Sequence, residues 1–244
     1  CFYCYQVFNT KAAIDDCSIS KKTLLDPCAR EITGWNVYQR ELAKGVSSNT
    51  ETCLKGVVCE RNHFNFDSHP RPRHPWHKSI IYELHIAGFT KDAYSEISDK
   101  HQGTYLGLIE KIPYLCELGI TTIEILPVFS YDPSDSPHGV QNYWGYSPIN
   151  WFTPHHQYAV KNSEITAREQ FRKLVEECHD HGLEVLIDVV YNHTTDGNKD
   201  GPIISWKGFG ESLYYFQNNK GDYQDVSGCG NSIAANRPLV RQLI

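Results

Sequence analysis

The sequence predicts an α/β fold in which a parallel sheet follows a β-rich amino-terminal segment. From Ser79 onward, runs typical of strands alternate with runs typical of helices. Repeated βα units of this kind build parallel sheets with right-handed crossovers. Residues 1 to about 60 contain instead short β-type runs joined by polar turns, without a helical period. The 244 residues suffice for one or two domains with a sizeable core.

The amino-terminal segment ends at a proline-rich stretch. Its last β-type run is Leu54–Cys59, and prolines then stand at positions 70, 72 and 75. Proline removes a backbone donor and holds the chain extended, so this composition predicts a linker. We therefore expect a first domain at 1–65, a linker at 66–78 and a second domain at 79–244. The chain contains no Met and begins within strand-like alternation, so we expect it to start partway through the first domain.

Three strand-like runs in the second domain are followed by connections of unequal length. The connection after the second run spans Phe129–Ile165, and the one after the third runs from Tyr191 to the end. Connections of this length are uncommon in compact domains unless they are functional. Both connections leave the carboxyl ends of strands, where α/β barrels and open α/β sheets place their ligand sites. We expect both connections to lack regular structure. The three strand-like runs are Ser79–Ile86, Thr121–Pro127 and Glu184–Val190.

Two helices are predicted between these strands. Residues Tyr105–Leu118 repeat apolar side chains at a helical period, and Gly119 is placed to end the helix. The second helix begins after Thr166, which forms a capping-box pattern with Glu169. Its buried stripe is predicted to contain Phe171, Leu174, Val175 and Cys178, and Gly182 to close it.

The third strand-like run carries a polar cluster. Its apolar residues enclose Asp188, and Asn192 and His193 follow directly. A carboxylate inside a buried strand costs several kcal/mol, on the order of an ion's desolvation, unless partners compensate. The residues alone leave two interpretations open: an acid that bonds the amides of the following loop, or part of a functional site.

Four segments together resemble one family. Asp188–His193 is similar to the first conserved region of the α-amylase superfamily of glycoside hydrolases, and the remaining segments resemble its isoamylase or glycogen-debranching branch. The resemblance begins near Leu24–Pro27 and continues to the last residue. The other three segments are Ile81–Thr90, Asn142–Asn150 and Gly228–Asn231.

The resemblance implies a specific architecture. The second domain would be an incomplete (β/α)8 TIM barrel consisting of its first three βα units. The first domain would be the carboxyl-terminal part of a β-sandwich of the carbohydrate-binding type. A cofactor-binding doubly wound fold is the alternative, and it is weakened because no Gly-x-Gly-x-x-Gly follows a strand.

The resemblance also implies site residues. Tyr146 is expected to stack against a glucosyl ring at the cleavage site, with Trp144 in the same motif, and His193 to donate to a hydroxyl of that sugar. Asn192 and Asp188 are expected to brace the loop and the strand end. In the family, the nucleophilic Asp and the acid/base Glu lie on later strands, after the segment that matches Gly228–Asn231. The chain is therefore expected to contain no catalytic residue.

Composition limits the partners. A formal net charge of -6 without a basic patch argues against nucleic acid and anionic membranes, and no apolar run has the length of a membrane span. Nine cysteines at irregular spacing preclude a complete disulfide framework and favour a reducing compartment. The Cys1–Cys4 pair and the paired histidines at 155–156 and 179–181 lack partners at metal spacing. We expect no metal or cofactor.

The predicted function is that of a fragment of an α-glucan debranching hydrolase. By resemblance it would cleave α-1,6 links in glycogen, amylopectin or a limit dextrin by a retaining mechanism, in the cytoplasm, or in the plastid of a plant or alga. A branching enzyme or maltooligosyltrehalose hydrolase of the same superfamily is one alternative. A non-catalytic polyglucan-binding subunit is another, and the isolated fragment is expected to be inactive.

Overall fold

The structure, a computed structural model, describes residues 1–7, 22–60, 66–137 and 139–244. These residues form two compact units that interleave along the chain. The first unit contains residues 1–59, 130–153 and 190–244, and the second contains 60–129 and 154–189. The predicted boundary at 65 lies outside the described residues, and the assignment of domains to 1–65 and 79–244 stays a prediction.

A parallel sheet forms the second unit. It consists of β4 (Ile81–Leu84), β5 (Thr122–Ile125) and β8 (Glu184–Ile187), in the order β4-β5-β8. Both pairs are parallel, with Thr122 opposite Ile81 on one side and Glu184 on the other. The parallel arrangement predicted from βα alternation is therefore confirmed.

The first strand of this sheet is shorter than predicted. It ends at Leu84 because the imidazole of His85 accepts a hydrogen bond from the Gly88 amide at 3.0 Å and caps a short helix, α2 (Ile86–Thr90). A side chain that satisfies an amide in the first turn of a helix favours helix initiation at that point. Ile86, predicted to lie in the strand, is buried in this helix.

The predicted helix Tyr105–Leu118 is two helices. α3 (Tyr105–Glu110) and α4 (Ile112–Glu117) meet at Lys111. Pro113 accounts for the interruption, since it has no amide to donate to the carbonyl four residues earlier. Both helices nevertheless bury the apolar side chains that the periodicity singled out, including Leu108 and Leu115.

The helix after the second long connection follows its prediction closely. α5 (Ala167–Asp180) has both hydrogen bonds of the Thr166–Glu169 capping box. Within the predicted stripe, Leu174 and Cys178 are fully buried, whereas Phe171 and Val175 are half-buried. Gly182, at a φ of +76°, ends the segment in a backbone conformation that glycine adopts without strain.

The proline-rich stretch lies along the carboxyl end of α5. Two short 3₁₀ helices, Phe66–Ser68 and Trp76–Lys78, flank chain without regular structure, in which Arg73 has a φ of +59°. The Nδ1 atom of His69 lies 2.8 Å from the Asp180 carboxylate, and the Nε2 atom of His74 lies 2.7 Å from the Gly182 carbonyl. The stretch is thus attached to the end of α5 by side-chain hydrogen bonds.

The first unit contains an antiparallel sheet of three short strands. β1 (Phe2–Tyr3), β3 (Lys55–Val57) and β2 (Ile32–Thr33) pair in that order. A one-turn helix, α1 (Arg40–Ala43), lies between the second and third strands in sequence. One apolar core joins this segment to later parts of the unit and consists of Leu25, Ala29, Ala43, Leu54, Ile149 and Ile204.

The long connections have regular structure, contrary to the prediction. β6 (Phe129–Tyr131) and β7 (Pro148–Pro154) form a two-stranded sheet, with a 3₁₀ helix at His156–Tyr158. The last segment contains α6 (Trp206–Tyr214) and α7 (Pro238–Arg241). Burial of large side chains stabilises these elements, and their core contains Trp206, Tyr215, Ile233 and Val240. No helix among the described residues is long and apolar enough to cross a bilayer.

Candidate functional site

Two aromatic side chains protrude from the loop between β6 and β7. The Asn142 side chain accepts a hydrogen bond from the Gly145 amide at 3.0 Å, and the Ser147 amide donates to the Gly145 carbonyl at 2.8 Å. Gly145 has a φ of +83°, a conformation that side chains rarely adopt. This tight reversal leaves Trp144 57% and Tyr146 40% exposed. Both present apolar ring surface to solvent, as a sugar-stacking platform requires.

His193 lies directly behind this loop. The residue is 6% exposed, and its Nε2 atom lies 2.8 Å from the Tyr146 carbonyl oxygen. A carbonyl only accepts hydrogen bonds, so Nε2 carries a proton. The side-chain oxygen of Asn192 lies 3.2 Å from Nδ1. Both ring nitrogens therefore contact protein atoms, and donation from His193 to a sugar hydroxyl stays a prediction.

The five predicted site residues divide between the two units. Tyr146, Trp144, His193 and Asn192 belong to the first unit, whereas Asp188 belongs to the second. Asn192 is exposed, and its carbonyl accepts a hydrogen bond from the Ile233 amide at 2.9 Å. The Asp188 amide donates to the Ile125 carbonyl at 2.9 Å and continues the parallel register at the end of β8. A bracing role for Asp188 and Asn192 stays a prediction.

Asn231 fixes the segment that follows His193. Its side-chain oxygen accepts from the Thr194 amide at 3.0 Å, and its side-chain nitrogen donates to the carbonyls of Thr194 at 2.8 Å and Gly197 at 3.0 Å. The residue is fully buried. The motif Gly228–Asn231 contributed to the resemblance, which implied no role for its asparagine. The side-chain amide of Asn231 thus gives three backbone groups the hydrogen bonds that a helix or strand would otherwise supply.

An ion-pair cluster around Arg40 anchors the same loops, and no sequence pattern predicted it. Arg40 lies 2.7 Å from Asp132 and 2.7 Å from Asp135, both of which follow β6. Arg40 also donates to the Thr195 hydroxyl at 2.7 Å. Burial alone would lower the pKa of Arg40, but the two carboxylates outweigh burial and raise it, so the guanidinium is charged. The Tyr38 hydroxyl donates to Asp132 at 2.8 Å.

A second buried acid organises the segment after Thr195. The Asp196 carboxylate accepts from the Tyr215 hydroxyl at 2.9 Å and from the amides of Lys207 at 3.1 Å and Ile204 at 3.3 Å. Burial raises the pKa of this carboxyl, although the hydrogen bonds act in the opposite direction. With these contacts, the acid serves as an acceptor for backbone and hydroxyl donors within the fold.

Lys207 stabilises the same segment from the other side. Its Nζ atom donates to the carbonyls of Asn198 at 2.7 Å, Lys199 at 2.9 Å and Gly201 at 3.0 Å. Three carbonyl oxygens around one ammonium satisfy all of its donors. Within the described ranges, no group of three or more His, Cys, Asp or Glu side chains is arranged to hold a metal ion.

A family model and curated relatives match this chain. The family model "Alpha amylase, catalytic domain" matches residues 62–223. Isoamylase 1, chloroplastic, of Oryza sativa subsp. japonica is 41% identical over 177 residues, which are 70% of this chain and 22% of the relative. Isoamylase 1, chloroplastic, of Arabidopsis thaliana is 37% identical over 240 residues, or 92% of this chain and 30% of the relative.

A solved structure resembles nearly the whole chain. The catalytic module of SpuA, a multi-modular glycogen-degrading pneumococcal virulence factor, superposes with a TM-score of 0.73 at 25% identity and covers 99% of this chain and 34% of that one. The chain thus spans between about a fifth and a third of the length of the curated relatives cited above.

Proposed function

The chain belongs to the α-amylase family, and we propose that it forms part of an α-glucan debranching hydrolase of the isoamylase type. The observation that carries the proposal is the 41% identity to a chloroplastic isoamylase over 177 residues. The protein would cleave α-1,6 links in glycogen, amylopectin or a limit dextrin. The parallel β4-β5-β8 sheet belongs to the family's (β/α)8 barrel, and we propose that residues 1–65 are part of a carbohydrate-binding β-sandwich.

We propose that the loop carrying Trp144 and Tyr146 holds one glucosyl unit. The Tyr146 ring would stack on the apolar face of the sugar, with Trp144 beside it. The buried His193 donates from Nε2 to the Tyr146 carbonyl, and its Nδ1 atom would exchange the contact with Asn192 for a contact with a sugar hydroxyl. Asp188 would brace the strand end.

The proposed reaction needs two carboxyl groups about 5–5.5 Å apart, one as nucleophile and one as acid/base. In the first unit, Asp132, Asp135 and Asp196 are bonded to Arg40, to backbone amides and to Tyr215. We therefore propose that this stretch supplies recognition of the sugar and that the catalytic pair lies outside it. The isolated 244-residue chain would then bind α-glucan without hydrolysing it.

Product analysis tests the activity and separates the alternatives. The complete protein that carries this chain is incubated separately with glycogen, amylopectin, linear amylose and trehalosyl-ended oligosaccharides, and released reducing ends, released trehalose and chain lengths are measured. Reducing ends from the branched substrates but not from amylose support debranching. Chain transfer without new reducing ends would indicate a branching enzyme. Release of trehalose from trehalosyl-ended oligosaccharides would indicate a trehalose-forming hydrolase. The absence of any reaction would indicate a binding subunit. The plant relatives are chloroplastic by name, so we propose a plastid location for a plant or algal source and the cytoplasm otherwise.

Replacing Tyr146 by Ala tests the site. Loss of stacking and of a positioned hydroxyl should reduce kcat/KM by roughly 100-fold, equivalent to about 3 kcal/mol. Folding should be spared because the side chain is exposed. Tyr94→Ala, at a 92% exposed tyrosine of the second unit, is the control. Wild-type kcat/KM in Tyr146→Ala would contradict the assignment.

A further inference from the structure

We infer that Arg40 is a positioning residue for the glucosyl site, acting through the loop that carries Tyr146. The inference rests on the proposed function and extends it to the amino-terminal segment. Arg40 lies outside the residues matched by the family model, which begin at 62. The site would therefore depend on a residue that the catalytic-domain match does not include.

Arg40 uses both terminal nitrogens of its guanidinium in a forked arrangement. Nη1 donates to Asp132 at 2.7 Å and to the Thr195 hydroxyl at 2.7 Å. Nη2 donates to Asp135 at 2.7 Å and to the Thr195 carbonyl at 3.2 Å. A planar guanidinium can satisfy four acceptors in fixed directions, whereas a lysine ammonium cannot reproduce that geometry.

Each partner of Arg40 lies near, or is bonded to a residue near, the sugar-facing pair, Tyr146 and His193. The Asp132 amide donates to the Ser147 carbonyl at 3.1 Å, and the Ser147 hydroxyl donates to Asp135. Ser147 directly follows Tyr146. Thr195, two residues after His193, donates from its hydroxyl to Asp135 at 3.0 Å. Arg40 thus joins the two loops at points one and two residues from the groups proposed to face the sugar.

The cluster cannot keep this arrangement without its cation. Asp132 is fully buried, and Asp135 lies beside the same guanidinium. Removing Arg40 leaves two neighbouring carboxylates that repel each other, one of them desolvated. The Tyr38 hydroxyl and the Ser134 amide still donate to Asp132, so this acid keeps partners. Asp135 keeps the hydroxyls of Ser147 and Thr195 but loses its charged donor, and the Thr195 hydroxyl and carbonyl lose the two donors of the guanidinium. The loops that carry Tyr146 and His193 are then no longer joined through Arg40.

A double-mutant cycle in the complete protein tests the inference. We expect Arg40→Gln to lower kcat/KM for a branched maltooligosaccharide at least about tenfold, mainly through KM. The kcat/KM of Arg40→Lys should lie between the values of Arg40→Gln and wild type, since lysine keeps the positive charge but lacks the forked geometry of the guanidinium. Lys44→Ala, which removes the exposed Lys44–Glu41 pair at the end of the same helix, should retain wild-type kinetics. Circular dichroism and thermal melting verify that each variant is folded.

The cycle is completed by placing Arg40→Gln in a Tyr146→Ala background. If Arg40 acts through Tyr146, the fold-decrease in kcat/KM caused by Arg40→Gln should be at least about fivefold smaller in the Tyr146→Ala background than in the wild-type background. Full additivity, or wild-type kcat/KM in Arg40→Gln, would overturn the inference while leaving the proposed function intact. Wild-type kcat/KM in Tyr146→Ala alone would overturn the sugar site and the inference together. Should Arg40→Gln not fold, Asp135→Asn removes one arm of the cluster and replaces it in the cycle.

Discussion

Replacing Lys207 by Met should release the segment that follows the candidate site. Lys207 is 4% exposed, and its ammonium donates to three backbone carbonyls between residues 198 and 201. Methionine has a similar length and an apolar end, so the aliphatic packing is kept while the three hydrogen bonds are lost. The variant therefore isolates the contribution of the charge.

The magnitude follows from two opposing effects. Hydrogen bonds from charged donors contribute about 1.5–3 kcal/mol each, so three would give roughly 4.5–9 kcal/mol. Burial opposes them: it lowers the pKa of Lys207, and taking an ammonium out of water costs several kcal/mol. We expect a net loss of about 3 kcal/mol, which is roughly a 100-fold change in a local opening equilibrium.

Hydrogen exchange measured by mass spectrometry reports this opening directly. The amides of Gly201 and Ile204 are hydrogen-bonded within the segment, to the Asn198 carbonyl and the Asp196 carboxylate. They should exchange roughly 100-fold faster in Lys207→Met than in wild type. Lys220→Met, at an exposed lysine, is the control. Equal protection in Lys207→Met and the control would show that Asp196 and Asn231 hold the segment without the ammonium, and would refute the reasoning.

Two further predictions concern the second unit and the cysteines. The hydrogen bond with Asp180 raises the pKa of His69, so the stabilisation from this pair is complete below about pH 6.5 and is lost as the pH rises through the higher folded pKa. An NMR titration should show the His69 midpoint falling in Asp180→Asn, and an unchanged midpoint would contradict this cause. Burial raises the pKa of Cys178 to about 12, so iodoacetamide at pH 8 should alkylate the exposed Cys229 and spare Cys178 until the protein unfolds. Equal labelling rates under native conditions would contradict the buried assignment.

The features that could be predicted from the sequence depend on local patterns. The family inferred from four motifs is confirmed by the catalytic-domain match and the isoamylase relatives. α5 was predicted because its capping box and its buried stripe lie within one stretch of chain. The interruption at Lys111 also has a local cause in Pro113, but the apolar period continues through it and concealed the break.

The features that escaped prediction depend on contacts between distant residues. α6 contains two glycines, one of them, Gly210, in a non-helical conformation, so propensity alone does not favour a helix there. Burial of Trp206 in the core of the first unit compensates. The Arg40 contacts span 92 residues to Asp132 and 155 to Thr195. No pattern within a sequence window can indicate a pair at such separations.

Three acids of the first unit, Asp132, Asp135 and Asp196, bear on the proposed division between sugar recognition in this chain and catalysis outside it. A catalytic carboxyl must face a reacting atom, and its pKa must suit proton transfer or nucleophilic attack. Asp132 and Asp135 face Arg40 instead, and Asp196 faces two amides and the Tyr215 hydroxyl. These contacts hold the backbone on both sides of Tyr146 and His193. If they keep Tyr146 and His193 in place, neutralising Asp135 should raise KM in the same proportion as it weakens binding of the glucan, and it should leave kcat nearly unchanged because the chemical step uses other groups.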